Sequence, residues 1–219
     1  MNDTIKRKIK RILPVINYLP LNNKLRLHGT KMKTNGAVLI NNKIICKGTN
    51  NLIIIHRGAI LRNCVISIKG DNNTIEIGEN SSIRNADFCM EDSNNKIKIG
   101  EKTYVYGKSH FACIEGTSIT IGSECLFSSE VVLRTGDSHS IVNLSGERIN
   151  QSADITIDNH VWICHRVMVN KGVYIAADNV IANGAIVTRS IEQSNVVVGG
   201  IPAKVIQSDI NWCPERIQI

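Results

Sequence analysis

The feature of this sequence that most constrains its fold is an internal repeat. Four segments share one pattern: NNLIIIHRGAIL at 50–61, NNTIEIGENSSI at 72–83, NNKIKIGEKTYV at 94–105 and SITIGSECLF at 118–127. Equivalent positions, such as Ile55 and Ile77, are 22 residues apart. A fixed period of this length is the signature of a solenoid, in which each repeat stacks on the one before it.

Within the repeat an aliphatic residue returns every six positions. The longest regular stretch has its members at Ile157, Ile163, Val169, Ile175, Ile181 and Val187. A second, smaller residue stands four positions after each aliphatic, as at Val161 and Val167, with Asn179 as the exception. A period of six fits neither an alternating strand nor a helix. It indicates a short flat strand followed by a sharp corner, and three such sides close a triangular coil of about 18 residues.

Each 22-residue copy exceeds one such coil by four residues. The surplus falls where the sequence turns polar, at 48–51, 70–73 and 93–95. Asn and Gly tolerate positive φ, and asparagines in successive coils can stack their amides into a hydrogen-bonded ladder. The leucine-rich repeat has a similar period, but its L-x-x-L-x-L-x-x-N pattern is absent. The prediction is an all-β, triangular parallel β-solenoid.

Charge divides the chain into a basic arm and a nearly neutral body. Residues 1–33 carry nine Lys or Arg and one acid, whereas the other 186 residues carry 17 basic and 18 acidic side chains. We predict a basic helical or capping segment at 1–35, a β-helix domain at 36–206 with a protruding loop at about 134–153, and a C-terminal tail at 207–219. Trp212 in this tail is predicted to be a packing anchor.

The arm has two open interpretations. Ile5, Ile9 and Ile12 have helical spacing among basic residues, so a helix here either caps the open end of the solenoid or contacts anionic lipid or an acidic polysaccharide. Pro14 and Pro20 interrupt the following apolar stretch, which therefore makes a poor signal peptide.

The cysteine and aromatic content indicate the cellular compartment of the protein and the kinds of partner it can bind. Seven scattered cysteines without a C-x-x-C pair predict free thiols in a cytoplasmic protein, with peripheral attachment to the inner face of the membrane through the basic arm as an alternative. No run approaches the roughly 18 apolar residues that a membrane span requires. An aromatic share of 4% argues against single-stranded nucleic acid as a partner.

Four local motifs add a family resemblance to the repeat. They are RTGDSHSI at 134–141, GERIN at 146–150, DNHVWI at 158–163 and GGIPAKVI at 199–206. Together with hexapeptide periodicity over residues 40–206, they resemble the hexapeptide-repeat, acetyl-CoA-dependent O-acetyltransferases, especially those that modify capsular polysaccharides and lipopolysaccharide O-antigens, including sialic-acid capsules. The resemblance implies a left-handed parallel β-helix, acetyl-CoA as co-substrate, a glycan or sugar acceptor, and a homotrimer with active sites between subunits.

The chemistry implied by this resemblance requires a base. The thiolate of coenzyme A leaves readily, but a sugar hydroxyl is a poor nucleophile until its proton is removed, and a neutral imidazole suits that task near pH 7. His139 lies in the polar segment that lacks the hexad signal, and the resemblance implies that it is the general base. On the residues alone the alternative, a solvated loop histidine, is favoured. Asp137 either orients the imidazole or simply forms a turn.

The resemblance also implies substrate contacts outside the loop. Trp162 points outward from its hexad and is predicted to line the acceptor or coenzyme site, or to pack at a trimer interface. Coenzyme contacts are implied at His165, Asn183 and Thr188 along the pantetheine arm, and at Arg189 and Lys204 for the phosphates. Cys164 and His165 stand where the family usually has Gly and Ser, which alters the expected surroundings of the thioester.

Three other functions are alternatives to the O-acetyltransferase. His160 and His165 have the spacing of a zinc-binding, carbonic-anhydrase-like branch of this fold, but Glu124 stands where its third histidine is expected, so no metal is predicted. The other two are an N-acetyltransferase of an amino sugar and a non-catalytic β-helix scaffold.

Overall fold

The computed structural model describes residues 21–218, which form a parallel β-solenoid with three flat sheets. Every third strand joins the same sheet. The first sheet contains β1 (Lys24–Leu27), β4 (Lys43–Lys47), β7 (Val65–Lys69), β10 (Asp87–Glu91), β13 (His110–Cys113), β16 (Val132–Arg134), β19 (Met168–Val169) and β22 (Ile186–Val187). The second contains β2 (Thr30–Thr34), β5 (Asn51–Ile55), β8 (Thr74–Ile77), β11 (Lys96–Ile99), β14 (Ser118–Ile121), β17 (Ile155–Ile157) and β20 (Tyr174–Ile175). The third contains β3 (Val38–Ile40), β6 (Ile60–Arg62), β9 (Ser82–Arg84), β12 (Tyr104–Val105), β15 (Leu126–Phe127), β18 (Trp162–Ile163), β21 (Val180–Ile181), β23 (Val197–Gly199) and β24 (Lys204–Gln207).

The strand register reproduces both periods read from the sequence. In the lower coils Ile77 pairs with Ile55 and Ile99, at 22-residue steps. In the upper coils Ile163 pairs with Ile181, at an 18-residue step. We name the corner between the first and second sheets the first corner, that between the second and third sheets the second corner, and that between the third and first sheets the third corner.

The interior of the triangle is filled by stacks of like residues. The larger inward positions include Ile53, Ile75, Ile97, Ile119 and Ile155, all fully buried. The smaller positions predicted by the hexad also face inward, and their polar members are satisfied by hydrogen bonds. Ser81 Oγ accepts from the Thr103 amide at 3.0 Å, and Thr103 Oγ1 accepts from the Cys125 amide at 3.1 Å. Each coil is thereby tied to the next through groups that burial would otherwise leave unpaired.

The predicted asparagine ladder is confirmed at the first corner. Asn51, Asn73 and Asn95 are buried one above the other. The backbone N–H of Asn73 donates to Asn51 Oδ1 at 2.8 Å, and the backbone N–H of Asn95 donates to Asn73 Oδ1 at 2.9 Å. The four surplus residues of the lower coils thus form a widened corner whose polar groups satisfy one another.

The solenoid begins earlier than the predicted boundary at residue 36. β1 and β2 pair in parallel with β4 and β5, so residues 24–34 form the first coil rather than a helical cap. Their sequences, KLRL and TKMKT, are rich in basic residues and lack the inward aliphatic every sixth residue, which is why the hexad pattern missed them. The helix predicted around Ile5 and Ile12 lies outside the described residues.

The upper end of the solenoid is closed by a reversal of the chain. β24 returns antiparallel to β23, and the tail beyond it crosses the second corner. The Trp212 ring stacks on His160, with centroids 4.4 Å apart, and its Nε1 donates to the His160 carbonyl at 2.9 Å. Trp212 therefore packs as predicted. Residues 21–218 contain no helix, so none of suitable length and apolarity to cross a bilayer occurs there.

Candidate active site

The regular coil is interrupted once, by an excursion at the first corner. Ile121 pairs directly with Ile157, 36 residues later, so about half of that interval leaves the coil. The excursion contains a small hairpin: Val142 and Arg148 form an antiparallel bridge, and the Ile149 amide donates to the Ile141 carbonyl at 2.9 Å. We call residues 134–153 the active-site loop.

His139 lies at the base of this hairpin with its imidazole exposed. Its backbone carbonyl accepts a hydrogen bond from Asn150 Nδ2 at 2.8 Å. Within residues 21–218 no group forms a hydrogen bond to the imidazole itself. The backbone of His139 is therefore held, while both ring nitrogens remain available to a substrate.

Asn150 is the residue that holds the loop together, and it is only 7% exposed. Its Nδ2 donates to Asp137 Oδ2 and to the His139 carbonyl, each at 2.8 Å. Its Oδ1 accepts from the Ile141 amide at 2.8 Å and from Arg148 Nε at 3.2 Å. Both donors and both acceptor positions of the amide are thus used, and all four bonds end within the active-site loop.

Asp137 contacts Lys171 and Asn150 rather than the His139 ring. Lys171, from the next coil at the same corner, bonds to Asp137 Oδ2 and to the Asn150 carbonyl, the latter at 3.0 Å. The Lys171 ammonium, followed by the Asn150 amide, holds the pKa of Asp137 below its usual range. Asp137 therefore reaches the His139 backbone only through Asn150.

A second ion pair fastens the loop to the coil beneath it. Arg148 donates to both carboxylate oxygens of Glu115, at 2.6 and 3.0 Å, and Ser152 Oγ donates to the same carboxylate at 2.7 Å. These bonds, that of Arg148 first, lower the pKa of Glu115 to about 2. A bidentate pair fixes direction as well as distance, so the hairpin is oriented relative to the solenoid.

A cavity of about 330 Å³ opens beside the loop. It is lined by Arg134, Gly136, Asp137, Met168, Asn170 and Lys171. Gly136 packs closely here, because a Cβ would lie 2.2 Å from Ser152 Oγ and 2.5 Å from Ile114 Cδ1 and would displace both side chains. Two cations and one carboxylate on its wall favour a polar ligand.

Other predicted contacts lie at the third corner, where Ser129, His165 and Asn183 stack in successive coils. Ser129 Oγ lies 2.8 Å from His165 Nδ1, and the His165 amide donates to Asn183 Oδ1 at 3.0 Å. Neighbouring Cys164 is buried in the core. Burial raises its pKa to about 11, so it is a protonated thiol at neutral pH.

The remaining predicted contacts lie on the upper coils. Trp162 is half-buried on the outer face of the third sheet, where its Nε1 donates to Ser128 Oγ at 3.3 Å. Thr188 and Arg189 are exposed just after β22, and Lys204 is exposed on β24.

The predicted residues at the edges of the first sheet form two groups. Asp137, His139, Thr188 and Arg189 lie at the first corner, the last two directly after β22, and His165 and Asn183 lie at the third. A first-sheet strand of about five residues separates the corners by roughly 15 Å, at about 3.3 Å per residue. Within one chain these two groups do not meet.

The two histidines of the zinc interpretation also lie at different corners. His160 Nδ1 is 2.8 Å from Asp178 Oδ1 at the second corner, whereas His165 contacts Ser129 at the third. In the part of the chain that the structure describes, no group of three His, Cys, Asp or Glu side chains is arranged to hold a metal ion.

Sequence reasoning missed the residues that support the loop. Arg148 and Asn150 were present in the GERIN motif, which signalled them without giving a role. Lys171 stands at a corner of the repeat, where nothing in the sequence distinguishes it from other charged residues. Glu115 carried no signal, because its partner lies 33 positions away on the excursion.

Comparison with known proteins identifies the family. No family model matches the sequence. The crystal structure of the polySia-specific acetyltransferase NeuO matches with a TM-score of 0.77 and 31% identity, over 86% of this chain and 90% of that one. This chain belongs to the hexapeptide-repeat acetyltransferases. The predicted family and the predicted left-handed parallel β-helix are thereby confirmed.

Three other acetyltransferases are similar to this chain over different shares of their length. The structure of the polysialic acid O-acetyltransferase OatWY matches with a TM-score of 0.67 and 29% identity over 90% of both chains. The polysialic acid O-acetyltransferase of Escherichia coli O1:K1 is 34% identical over 96 residues, 43% of this chain and 31% of that protein. The galactoside O-acetyltransferase of Escherichia coli K12 is 38% identical over 104 residues, 47% and 50% of the two chains. These sequence matches span one third to one half of the curated relatives.

Proposed function

We propose that this protein is an O-acetyltransferase that moves an acetyl group from acetyl-CoA to a hydroxyl of a surface glycan of the capsule or lipopolysaccharide type. The observation that carries the proposal is the exposed His139, whose backbone Asn150 fixes beside a polar cavity on an acetyltransferase scaffold. The names of the relatives, which are polysialic acid and galactoside O-acetyltransferases, support a sugar acceptor.

In the proposed reaction His139 acts as general base. Its neutral imidazole takes the proton of the sugar hydroxyl as the hydroxyl oxygen attacks the thioester carbon. The new C–O bond forms, the C–S bond breaks, and the thiolate of coenzyme A leaves with the electron pair. The imidazolium then returns its proton to that thiolate, which leaves the enzyme as it began.

The residues at the top of the solenoid suit the coenzyme. Arg189 and Lys204 are exposed cations, as the pyrophosphate and 3′-phosphate require. Along the pantetheine arm we assign the third corner of one chain, at His165 and Asn183, together with Thr188 at the first corner of the chain that supplies His139. Cys164 takes no covalent part, because its thiol is buried and protonated.

Two chains are needed to complete this site. His139 and the corner at Asn183 lie on opposite edges of the first sheet, so a donor bound at the third corner of one chain can meet only another chain's His139. A closed ring of identical subunits supplies that contact at every interface. We therefore propose a homotrimer with three equivalent sites between subunits.

Release of free thiol from acetyl-CoA tests the proposed function. The wild-type protein is assayed with sialic-acid polymers, neutral capsular glycans, simple galactosides and an amino sugar. We expect release with one glycan class, lost in His139→Ala and retained in His56→Ala, which changes a histidine that pairs with Glu76 at the second corner of a lower coil. Release with no acceptor would overturn the proposal, and release confined to the amino group of an amino sugar would replace it with N-acetylation.

A further inference from the structure

The outer face of the third sheet concentrates aromatic side chains in a chain that has few. All three phenylalanines are buried in the core. Five tyrosines and tryptophans lie within the described residues, and four of them cover this face: Tyr104, Tyr106, Trp162 and Trp212. The fifth, Tyr174, is on the second sheet. Composition does not explain such clustering.

These rings form a continuous strip along the solenoid axis. The Tyr104 and Tyr106 rings are nearly parallel, with centroids 6.5 Å apart, and both side chains are 41% exposed. Tyr104 pairs in register with Leu126, which pairs with Trp162 in the next coil. The Trp212 ring lies 5.8 Å from the Trp162 ring. The strip therefore presents partly exposed rings and one aliphatic side chain over three coils.

A cavity of about 230 Å³ lies between Tyr104 and Trp212. Its wall adds Lys102, Glu124 and His160 at the second corner, and Lys102 Nζ lies 2.9 Å from Glu124 Oε1. A pyranose ring has an apolar face of C–H groups and an edge of hydroxyls. Aromatic faces beside donors and acceptors complement both parts.

The lower end of the strip is positive. The Arg84 guanidinium lies 5.8 Å from the Tyr106 ring centroid, and Arg62 is its register neighbour in the coil below. Both are exposed. Counting residues 21–218 only, no carboxylate lies within ion-pair distance of either. These two cations are therefore available to an anionic ligand.

We infer that this strip, from Trp212 through Tyr104 to Arg84, is a binding site for an acidic saccharide chain. It spans three coil steps, or about 14 Å at about 4.8 Å per step, which exceeds one sugar ring. The inference rests on the proposed function and deepens it, because the site would hold a polymeric acceptor outside the reacting centre. Its cavity lies at the second corner, across the third sheet from His165 and Asn183 at the third corner.

Intrinsic fluorescence measures binding here directly, because both tryptophans of the chain lie on this face. The full-length protein is titrated, without acetyl-CoA, with a hexamer of sialic acid. Sialic acid monomer and maltohexaose, a neutral chain of equal length, serve as comparison probes. We expect saturable binding of the hexamer, with the other two weaker by at least about tenfold, because the monomer spans only part of the strip and maltohexaose lacks the carboxylates.

Two variants assign the binding to the strip. Tyr104→Ala and Arg84→Gln are each expected to weaken hexamer binding by roughly tenfold. Tyr174→Ala, which removes an outward tyrosine of the second sheet, is the matched control and should bind as the wild type does. Size-exclusion chromatography of each variant reports its assembly.

Three results would overturn the inference: equal affinity for monomer and hexamer, unchanged hexamer affinity in both variants, or dissociation of the oligomer by Tyr104→Ala. The last would make the strip an interface between copies of the chain. Because no donor is present in the titration, hexamer binding without any thiol release in the separate assay would count against the proposed function and leave the saccharide site standing.

Discussion

The first corner of the solenoid is built in two ways along its length. In the lower coils its polar residues form the ladder of Asn51, Asn73 and Asn95, whose hydrogen bonds run from each coil to the next. In the upper coils the same corner carries Asp137, Asn150 and Lys171, whose bonds converge on the active-site loop. One place in the fold thus joins the coils below and, in the proposed function, positions the catalytic residue above. If this division is correct, substitutions in the two regions will have separable effects.

The largest effect is expected at His139. His139→Ala should lower turnover by about 10² to 10⁴, the usual range for losing a general base, since its ring forms no hydrogen bond within residues 21–218 that would affect folding. Steady-state kinetics and thermal unfolding check the two halves of this statement. Near-normal turnover in a folded variant would remove His139 from the mechanism.

The ladder should show the opposite behaviour. Asn73→Ala deprives the buried Asn95 amide and the Asp92 carbonyl of their partners. We expect the free energy of unfolding to fall by about 2–4 kcal/mol, with turnover per folded molecule unchanged. Chemical denaturation measures this, with Thr74→Ala, an outward neighbour on β8, as control. A loss of activity without a loss of stability would break the comparison.

Asn150 should affect catalysis more than folding. Asn150→Ala releases the His139 carbonyl and the Asp137 carboxylate, and misplacing a catalytic group by about 1 Å costs up to about 10²-fold. We expect kcat to fall by about tenfold to 10²-fold while KM for acetyl-CoA is unchanged. Asn143→Ala is the matched control, because the Asn143 side chain also orders the loop but bonds only near the hairpin tip, to Ser145 and Glu147. Equal effects of the two variants would show that loop order alone matters.

The smallest effect is expected when the pH is lowered, which should loosen the active-site loop. Ion pairs hold the pKa values of Asp137 and Glu115 below their usual ranges, that of Glu115 at about 2. Their contribution to loop order is therefore complete above the ordinary carboxyl pKa values and is lost as the pH falls through the lowered ones. Limited proteolysis should show the loop cut faster between about pH 4.5 and pH 2, with a smaller change in Glu115→Gln. A loop equally resistant across that range would contradict the assignment.

The same division explains what the sequence predicts well. The inward residues and the ladder repeat with a fixed period, so Ile55 and Asn73 each identify their equivalents in other coils. The active-site loop occurs once. Its bonds join Glu115 to Arg148 and Asp137 to Lys171 across more than 30 positions, and no local pattern encodes such pairs. His139 was found by family resemblance, and its supporting residues were found only in the structure.

The central claim is a site shared between two chains, and subunit mixing tests it most directly. His139→Ala disables the first corner, and Asn183→Trp blocks the third corner with a bulky ring at an exposed position. Each variant alone should be inactive. Trimers assembled from an equal mixture should recover about a quarter of wild-type thiol release, because that share of interfaces pairs two intact corners. Mixed trimers as inactive as their parents would show that each chain carries a complete site of its own.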